Sequence, residues 1–301
     1  MLSEDSDGQE RRQRLGMASH MNTIDVRPRS DAAMRIRLWL IWAGLALIAS
    51  VGPACRRTPA RVAIPAPQTV LWAWDRAEDL QFLTKQPPSS TGVAYLQATV
   101  FLFRQNVVAR RRTAALLIPD GIWRMPVVRI ETDRQFLPTL EDGQRQELLR
   151  LLRVEFAHAG LSRLQIDFEA TASQRAFYRQ LIFELRAALG ARVFLSVTAL
   201  ASWCQQDRFL TDWPVDEIVP MFYRLGSEGP KLRDELLRGV DLAPECRRAH
   251  GLYTEEPMIL PPTPRRLYLF SRTAFSEASI ERARERLSAP AQEALRRAPS
   301  R

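Results

Sequence analysis

Residues 163–170 read RLQIDFEA, and its two carboxylates, Asp167 and Glu169, stand at alternate positions. In an extended strand, alternate side chains leave on the same face, roughly 6–7 Å apart along the backbone. Leu164, Ile166 and Phe168 take the opposite face. Acids are poor strand formers, so a pair on one face asks for a reason. Further polar or aromatic groups follow other strand-like runs: Trp74-Asp75, Glu131, Trp203, Tyr223-Arg224 and Glu255-Glu256. Acids combined with aromatic platforms suit a carbohydrate, because sugar rings stack their C–H faces on Trp and Tyr. A protonated carboxylic acid can then feed a proton to the glycosidic oxygen.

The elements that must hold these groups alternate along the chain. Strand-like runs cover 69–74, 92–103, 125–132, 163–170, 191–200, 215–223, 251–254 and 265–270. Helical spacing covers 141–157, where Leu148, Leu149, Leu152 and Phe156 recur, and 173–189, with Phe177, Leu181, Phe183, Leu185 and Leu189. A short helix is expected over WCQQDRFL, another over 229–238, and a last one over 276–297. Strand followed by helix, about eight times over some 225 residues, is the pattern of an α/β fold of the (β/α)8 TIM-barrel type. A doubly wound open sheet is disfavoured, since no glycine-rich fingerprint follows the first strand. In a barrel Leu164, Ile166 and Phe168 pack under helices. Asp167 and Glu169 then point to the axis, with Glu169 nearest the C-terminal mouth where such enzymes carry their sites.

These residues resemble the chitinase-like glycosidases, (β/α)8 barrels whose fourth strand carries Asp-x-Asp-x-Glu. Here Gln165-x-Asp167-x-Glu169 matches the last two acids. That family ends its sixth strand with Met-x-Tyr-Asp, and this chain has Met221-Phe222-Tyr223-Arg224. LWAWDRAEDLQFL, LQIDFEATASQRAFY, LSVTALASWC, VDEIVPMFYRLG and CRRAHGLYTEEP are similar to a bacterial domain-of-unknown-function family grouped with the glycosidase barrels. The resemblance implies Glu169 as general acid, its proton affinity raised by Asp167 and by partial burial. It also implies that Asp167 and Tyr223 orient a substrate N-acetyl nucleophile. Trp74, Asp75, Trp203, Arg224, Glu255 and Glu256 are the candidate substrate contacts. Arg224, in place of Asp, suits a substrate carboxylate, or else pairs with Asp167 or Glu169 and keeps it ionised. The substitutions at Gln165 and Arg224 leave a second reading open: a non-catalytic barrel that binds a glycan or an envelope partner.

The N-terminus bears on location. Residues 1–33 are polar and aperiodic and read as a disordered or untranslated extension. From Met34, MRIR precedes the apolar LWLIWAGLALIASV and then GPAC, so 34–55 reads as a secretory signal. A membrane span asks for about 20 apolar residues, more than this run supplies. Cys55 is a candidate for lipidation, although Gly52-Pro53-Ala54 lacks the leucine-like residue expected three positions before it; cleavage with and without a lipid both stand. The proline-rich 56–68 is a linker, 69–295 the barrel, and 296–301 a tail. The expectation is an exported protein, periplasmic or held at the bacterial cell envelope by a lipid, with a polysaccharide or oligosaccharide as partner.

In that compartment Cys204 and Cys246 can form a disulfide. The net charge of +9 is almost all arginine, since Lys85 and Lys231 are the only lysines. The arginines are scattered among acids with no stripe, which argues against nucleic acid. His158, near a helix end, reads as a surface or capping residue, and His20 and His250 have no partners at ligand spacing, so neither a metal nor another cofactor is expected. No Gly-x-Ser-x-Gly elbow is present.

Overall fold

Eight parallel strands close on themselves. The computed structural model describes residues 66–87, 89–204, 208–225, 229–238, 242–256 and 266–288, with Glu293 and Arg297. Residues 34–55, expected to be a signal and ending in Cys55, and most of the expected linker 56–68 lie outside them. Numbering the strands in chain order, β1 is Thr69–Ala73, β2 Glu78–Asp79, β3 Thr91–Phe103, β4 Asn106–Arg111, β5 Leu116–Leu117 and β6 Arg124–Thr132. Then come β7 Arg163–Asp167, β8 Phe194–Leu200, β9 Glu217–Met221, β10 Ala249–Tyr253 and β11 Arg266–Phe270. The ring runs β1-β3-β6-β7-β8-β9-β10-β11 and returns to β1, whose Thr69 pairs with both Leu267 and Thr91. This is a TIM-type barrel.

Alternation sorts the strands' side chains into two cores. Val70, Trp72, Ala94, Leu96, Met125, Val127, Val219, Tyr268 and Phe270 fill the interior. Leu164, Ile166 and Phe168 belong to the outer core between strands and helices. At Gly251 an added Cβ would sit 3.0 Å from the Phe270 ring and 3.3 Å from the Pro220 carbonyl. The glycine therefore leaves room for Phe270 inside the barrel.

The helices are α1 Asp142–Ala159, α2 Arg175–Leu189, α3 Gly229–Leu237 and α4 Glu277–Leu287. In α2 the residues Phe177, Tyr178, Leu181, Ile182 and Leu185 are buried at helical spacing. Each such apolar side chain contributes about 1.5–3 kcal/mol of burial. Gly160, at φ 63°, closes α1 in the left-handed conformation that favours glycine.

The strand–helix repeat is less regular than expected. Among the described residues an α-helix follows only β6, β7, β9 and β11. The chain passes from β1 to β3 through a 3-10 turn at Gln81–Lys85, and from β8 to β9 through two more, Ala201–Cys204 and Arg208–Leu210. Between β3 and β6 it makes an antiparallel hairpin, β3–β4, held to α1 by Gln144, whose Nε2 donates to the Arg104 and Asn106 carbonyls. The expected strand 163–170 ends at Asp167, and the expected strand 215–223 ends at Met221.

Candidate active site

The barrel interior carries polar groups in tiers. At its N-terminal end Glu217 of β9 is buried and accepts hydrogen bonds from Arg266, from the Tyr268 hydroxyl at 2.5 Å and from Ser196 Oγ at 3.3 Å. Burial pushes the Glu217 carboxyl up, while Arg266 pulls it back. In the next tier Trp72 Nε1 donates to Gln165 Oε1 at 2.9 Å, and Gln165 Nε2 donates to Ser196 Oγ at 3.0 Å. Gln165, which replaces an acid of the chitinase-like motif, thus bridges the interior as a neutral amide.

Asp167 forms the top tier. Its Oδ1 accepts from Thr198 Oγ1 at 2.6 Å, and its Oδ2 accepts from Arg129 Nη1 at 2.8 Å. Arg129 stands in β6 directly beside Asp167 in the strand register. Its Nε donates to Glu131 at 2.8 Å, its Nη2 lies 3.7 Å from Glu169 Oε1, and its guanidinium sits 5.5 Å from the Trp74 ring centre. Burial opposes the charge on Arg129, but Asp167, Glu131 and Glu169 together outweigh it and hold the guanidinium ionised.

Glu169 lies just past the end of β7, at the mouth, with half of its side-chain surface exposed. Burial of the carboxyl, then the negative charge of Asp167, push its proton affinity up. Arg129 opposes that rise, Glu131 adds to it and Arg224 subtracts from it. Glu169 and Arg129 wall a cavity of about 480 Å³ whose other sides are Trp74, Leu200, Ala201, Ser202, Met221, Tyr223, Arg224, Leu225 and Leu232. A second depression, lined among others by Glu131, Thr132, Thr171 and Gln174, shares Arg129 and Glu169 with it.

Aromatic rings build the rest of the mouth. Trp74 leans on Trp72 at 4.3 Å between ring centres. Tyr223 stacks on Tyr253 at 5.2 Å and meets Phe270 at 4.9 Å. Burial, together with Asp167 and Glu169, holds the Tyr223 phenol well above its ordinary value, so it stays a neutral donor. Among the described residues that hydroxyl donates to the weakly accepting Met221 Sδ, at 3.2 Å.

Sequence-nominated residues divide on this geometry. Asp167, Glu169, Tyr223, Trp74 and Arg224 converge. Trp203 does not: it is 1% exposed and packs in the outer layer against Phe209 at 5.1 Å, with Arg175 over its face. The 3-10 turn after β8 folds the ring back under the helices, so no face is left for a sugar. Asp75 accepts the backbone N–H groups of Thr113 and Ala114, clasping a loop. Glu255 accepts from Ser271 Oγ, Thr254 Oγ1 and the Arg272 N–H; these bonds outweigh burial and hold it below the usual carboxylate range. It lines a different depression, with Arg282 and Arg286. Glu256 accepts the Arg224 N–H at 3.1 Å and so supports that residue from behind.

The arginine placed among the acids is Arg129, not Arg224. Arg129 was not among the residues nominated from the sequence, although a charged residue in phase with Met125 and Val127 was a usable signal. A disulfide joins Cys204 to Cys246 and ties the turn after β8, whose Ala201 and Ser202 line the cavity, to the turn before β10. Near it His250 is fully buried, with Nε2 3.2 Å from the Cys246 carbonyl, and burial lowers its pKa to about 4. Among the described residues no three His, Cys, Asp or Glu side chains are grouped to hold a metal ion. His158 is exposed in the last turn of α1.

Fold and site define a TIM-type barrel with an acid-and-aromatic pocket at its C-terminal mouth. No family model and no curated protein matches the chain. Among solved structures it is similar to a protein described as a chitinase A from Streptomyces coelicolor, at 12% identity and a TM-score of 0.43, over 68% of this chain and 92% of that one. It is also similar to a family GH18 chitinase from Chromobacterium violaceum, at 13% identity and a TM-score of 0.44, over 78% and 85%. Likeness at that level carries no argument about chemistry, and the closed strand pairing stands without it.

Proposed function

We propose that the protein is an exported glycoside hydrolase acting on an envelope or extracellular polysaccharide, with Glu169 as general acid. The observation that carries this is the position of Glu169, at the wall of an aromatic-lined cavity with Asp167 beneath it. A carboxyl whose proton affinity is raised can transfer its proton to the glycosidic oxygen as the C–O bond breaks. Asp167, fixed by Thr198 and Arg129, remains beneath the ring, where positive charge develops in the transition state. The Tyr223 hydroxyl, which among the described residues meets a thioether, is placed to orient the sugar. Trp74 offers a stacking face. Export rests on the signal-like residues 34–55 alone; among the described residues no helix is long and apolar enough to cross a membrane.

One observation favours a glycan-binding barrel without turnover. Arg129, 3.7 Å from Glu169, stabilises the ionised carboxylate, and an ionised Glu169 has no proton to give. Incubation with N-acetylated, uronic-acid and neutral polysaccharides, read by mass spectrometry of released oligosaccharides, separates the two. A hydrolase releases products that Glu169→Gln does not. A binder retains the polysaccharide in both forms and releases nothing.

A further inference from the structure

Two guanidinium groups line the cavity beside the single carboxyl of Glu169. Arg129 is committed to Asp167, Glu131 and Glu169. Arg224 forms no ion pair with an acid among the described residues, and acts on Glu169 only at a distance. Its guanidinium lies over the Tyr253 ring at 5.0 Å, and its Nη2 donates to the Tyr253 hydroxyl at 3.0 Å. Glu256 accepts its backbone N–H, and among the described residues no carboxylate pairs with the guanidinium. Among the described residues one neutral phenol thus answers one of its five N–H donors, and Arg224 lines the cavity. The Tyr253 ring and hydroxyl give the guanidinium a resting contact before any ligand arrives. The backbone at Arg224 is held at φ 50°, a costly conformation for a non-glycine residue and one concentrated at ligand sites.

A guanidinium with N–H donors to spare matches the two oxygens of a carboxylate and gains less from a neutral hydroxyl. Resting on the reading of this site as a glycan cleft, we infer that Arg224 is a specificity residue that takes a sugar carboxylate, which makes the substrate class a uronic-acid-containing glycan. The aromatic edge formed by Trp74 and Tyr223 then receives the uncharged face of the chain, while the acidic substituent turns toward Arg224. A bound carboxylate also offsets the positive charge that lowers the proton affinity of Glu169, so binding and proton donation reinforce each other.

The test is calorimetric binding to the full chain carrying Glu169→Gln, which prevents turnover. The probes are tetrasaccharides of galacturonate, mannuronate and hyaluronan, each beside its carboxyl methyl ester, with chitotetraose and cellotetraose as neutral controls. At least one free acid is expected to bind about tenfold to a hundredfold more tightly than its ester, the scale of a charge-assisted bidentate contact. Adding Arg224→Asn, which tolerates the left-handed backbone, should abolish that preference, bringing acid and ester to the same affinity whatever its effect on ester binding. Esters or neutral sugars that bind as tightly as the acids, or an acid preference that survives Arg224→Asn, would overturn the proposal while leaving the glycan cleft intact. Failure of every acidic, esterified and neutral sugar to bind overturns the glycan reading and the proposal together.

Discussion

Arg129 and Asp167 are register partners on neighbouring strands, and their side chains meet at 2.8 Å in the barrel interior just below the pocket floor. The pairing fixes Asp167 under the cavity and sets an opposed pair of influences on Glu169. Asp167 raises its proton affinity and Arg129 lowers it.

These influences give a pH prediction. The proton-donating form of Glu169 exists below its pKa and is lost as pH rises through it, so activity falls on the alkaline side. Because the carboxyl is raised above its ordinary value, that fall lies above the usual glutamate range. Asp167→Asn removes a raising charge and should move the alkaline limb of kcat/KM to lower pH. Arg129→Gln removes a lowering charge and should move it to higher pH. Profiles of all three proteins check the signs; shifts in the same direction would be inconsistent with this arrangement.

The two tryptophans should separate cleanly. Trp74→Ala is expected to weaken glycan binding and to cost less unfolding free energy than Trp203→Ala, because its ring lines the cavity and is only partly buried on Trp72. Trp203→Ala leaves a hole in the outer core and should cost about 3–5 kcal/mol in urea unfolding. Binding by the folded fraction should be retained. Equal loss of binding in both would return Trp203 to the site.

At the opposite end of the barrel, Arg266→Met leaves the buried Glu217 without its counter-charge. A loss of about 3–5 kcal/mol is expected. Adding Glu217→Gln should recover part of it, since the neutral amide still accepts from Tyr268 and Ser196. Chemical unfolding of the two variants measures the coupling.

The disulfide closes a separation of 42 residues, and its removal by Cys204→Ala with Cys246→Ala should cost about 4 kcal/mol by loop-closure entropy. Because Ala201 and Ser202 sit just before Cys204, weaker glycan binding is expected alongside the lower stability. Unfolding and binding titrations of the double variant test both.

The strand alternation in RLQIDFEA made two things readable in the sequence: which face Leu164, Ile166 and Phe168 cover, and that Asp167 points inward. The same phase logic reaches Arg129 in RMPVVRIET, which shares its face with Met125, Val127 and Glu131. Trp203 shows where period-two reasoning ends. Beyond the last strand residue a 3-10 turn decides which way a ring points, and that depends on Tyr178 and Phe209, close in space but not adjacent in sequence. The β3–β4 hairpin was not legible either. Its connection, Arg104-Gln105, carries no Asn-Gly or Asp-Gly signal, and Arg104 takes φ 48° because contacts from α1 and the following loop hold it there.

The central claim is that Glu169 donates the proton to the leaving oxygen. The most direct test compares Glu169→Gln with the wild type on an oligosaccharide and on a 2,4-dinitrophenyl glycoside of the same sugar, whose leaving group needs no proton. The account predicts that Glu169→Gln loses about 10²–10⁴-fold in kcat/KM on the oligosaccharide and little on the activated glycoside. Equal losses on both substrates, or none on the oligosaccharide, would contradict it.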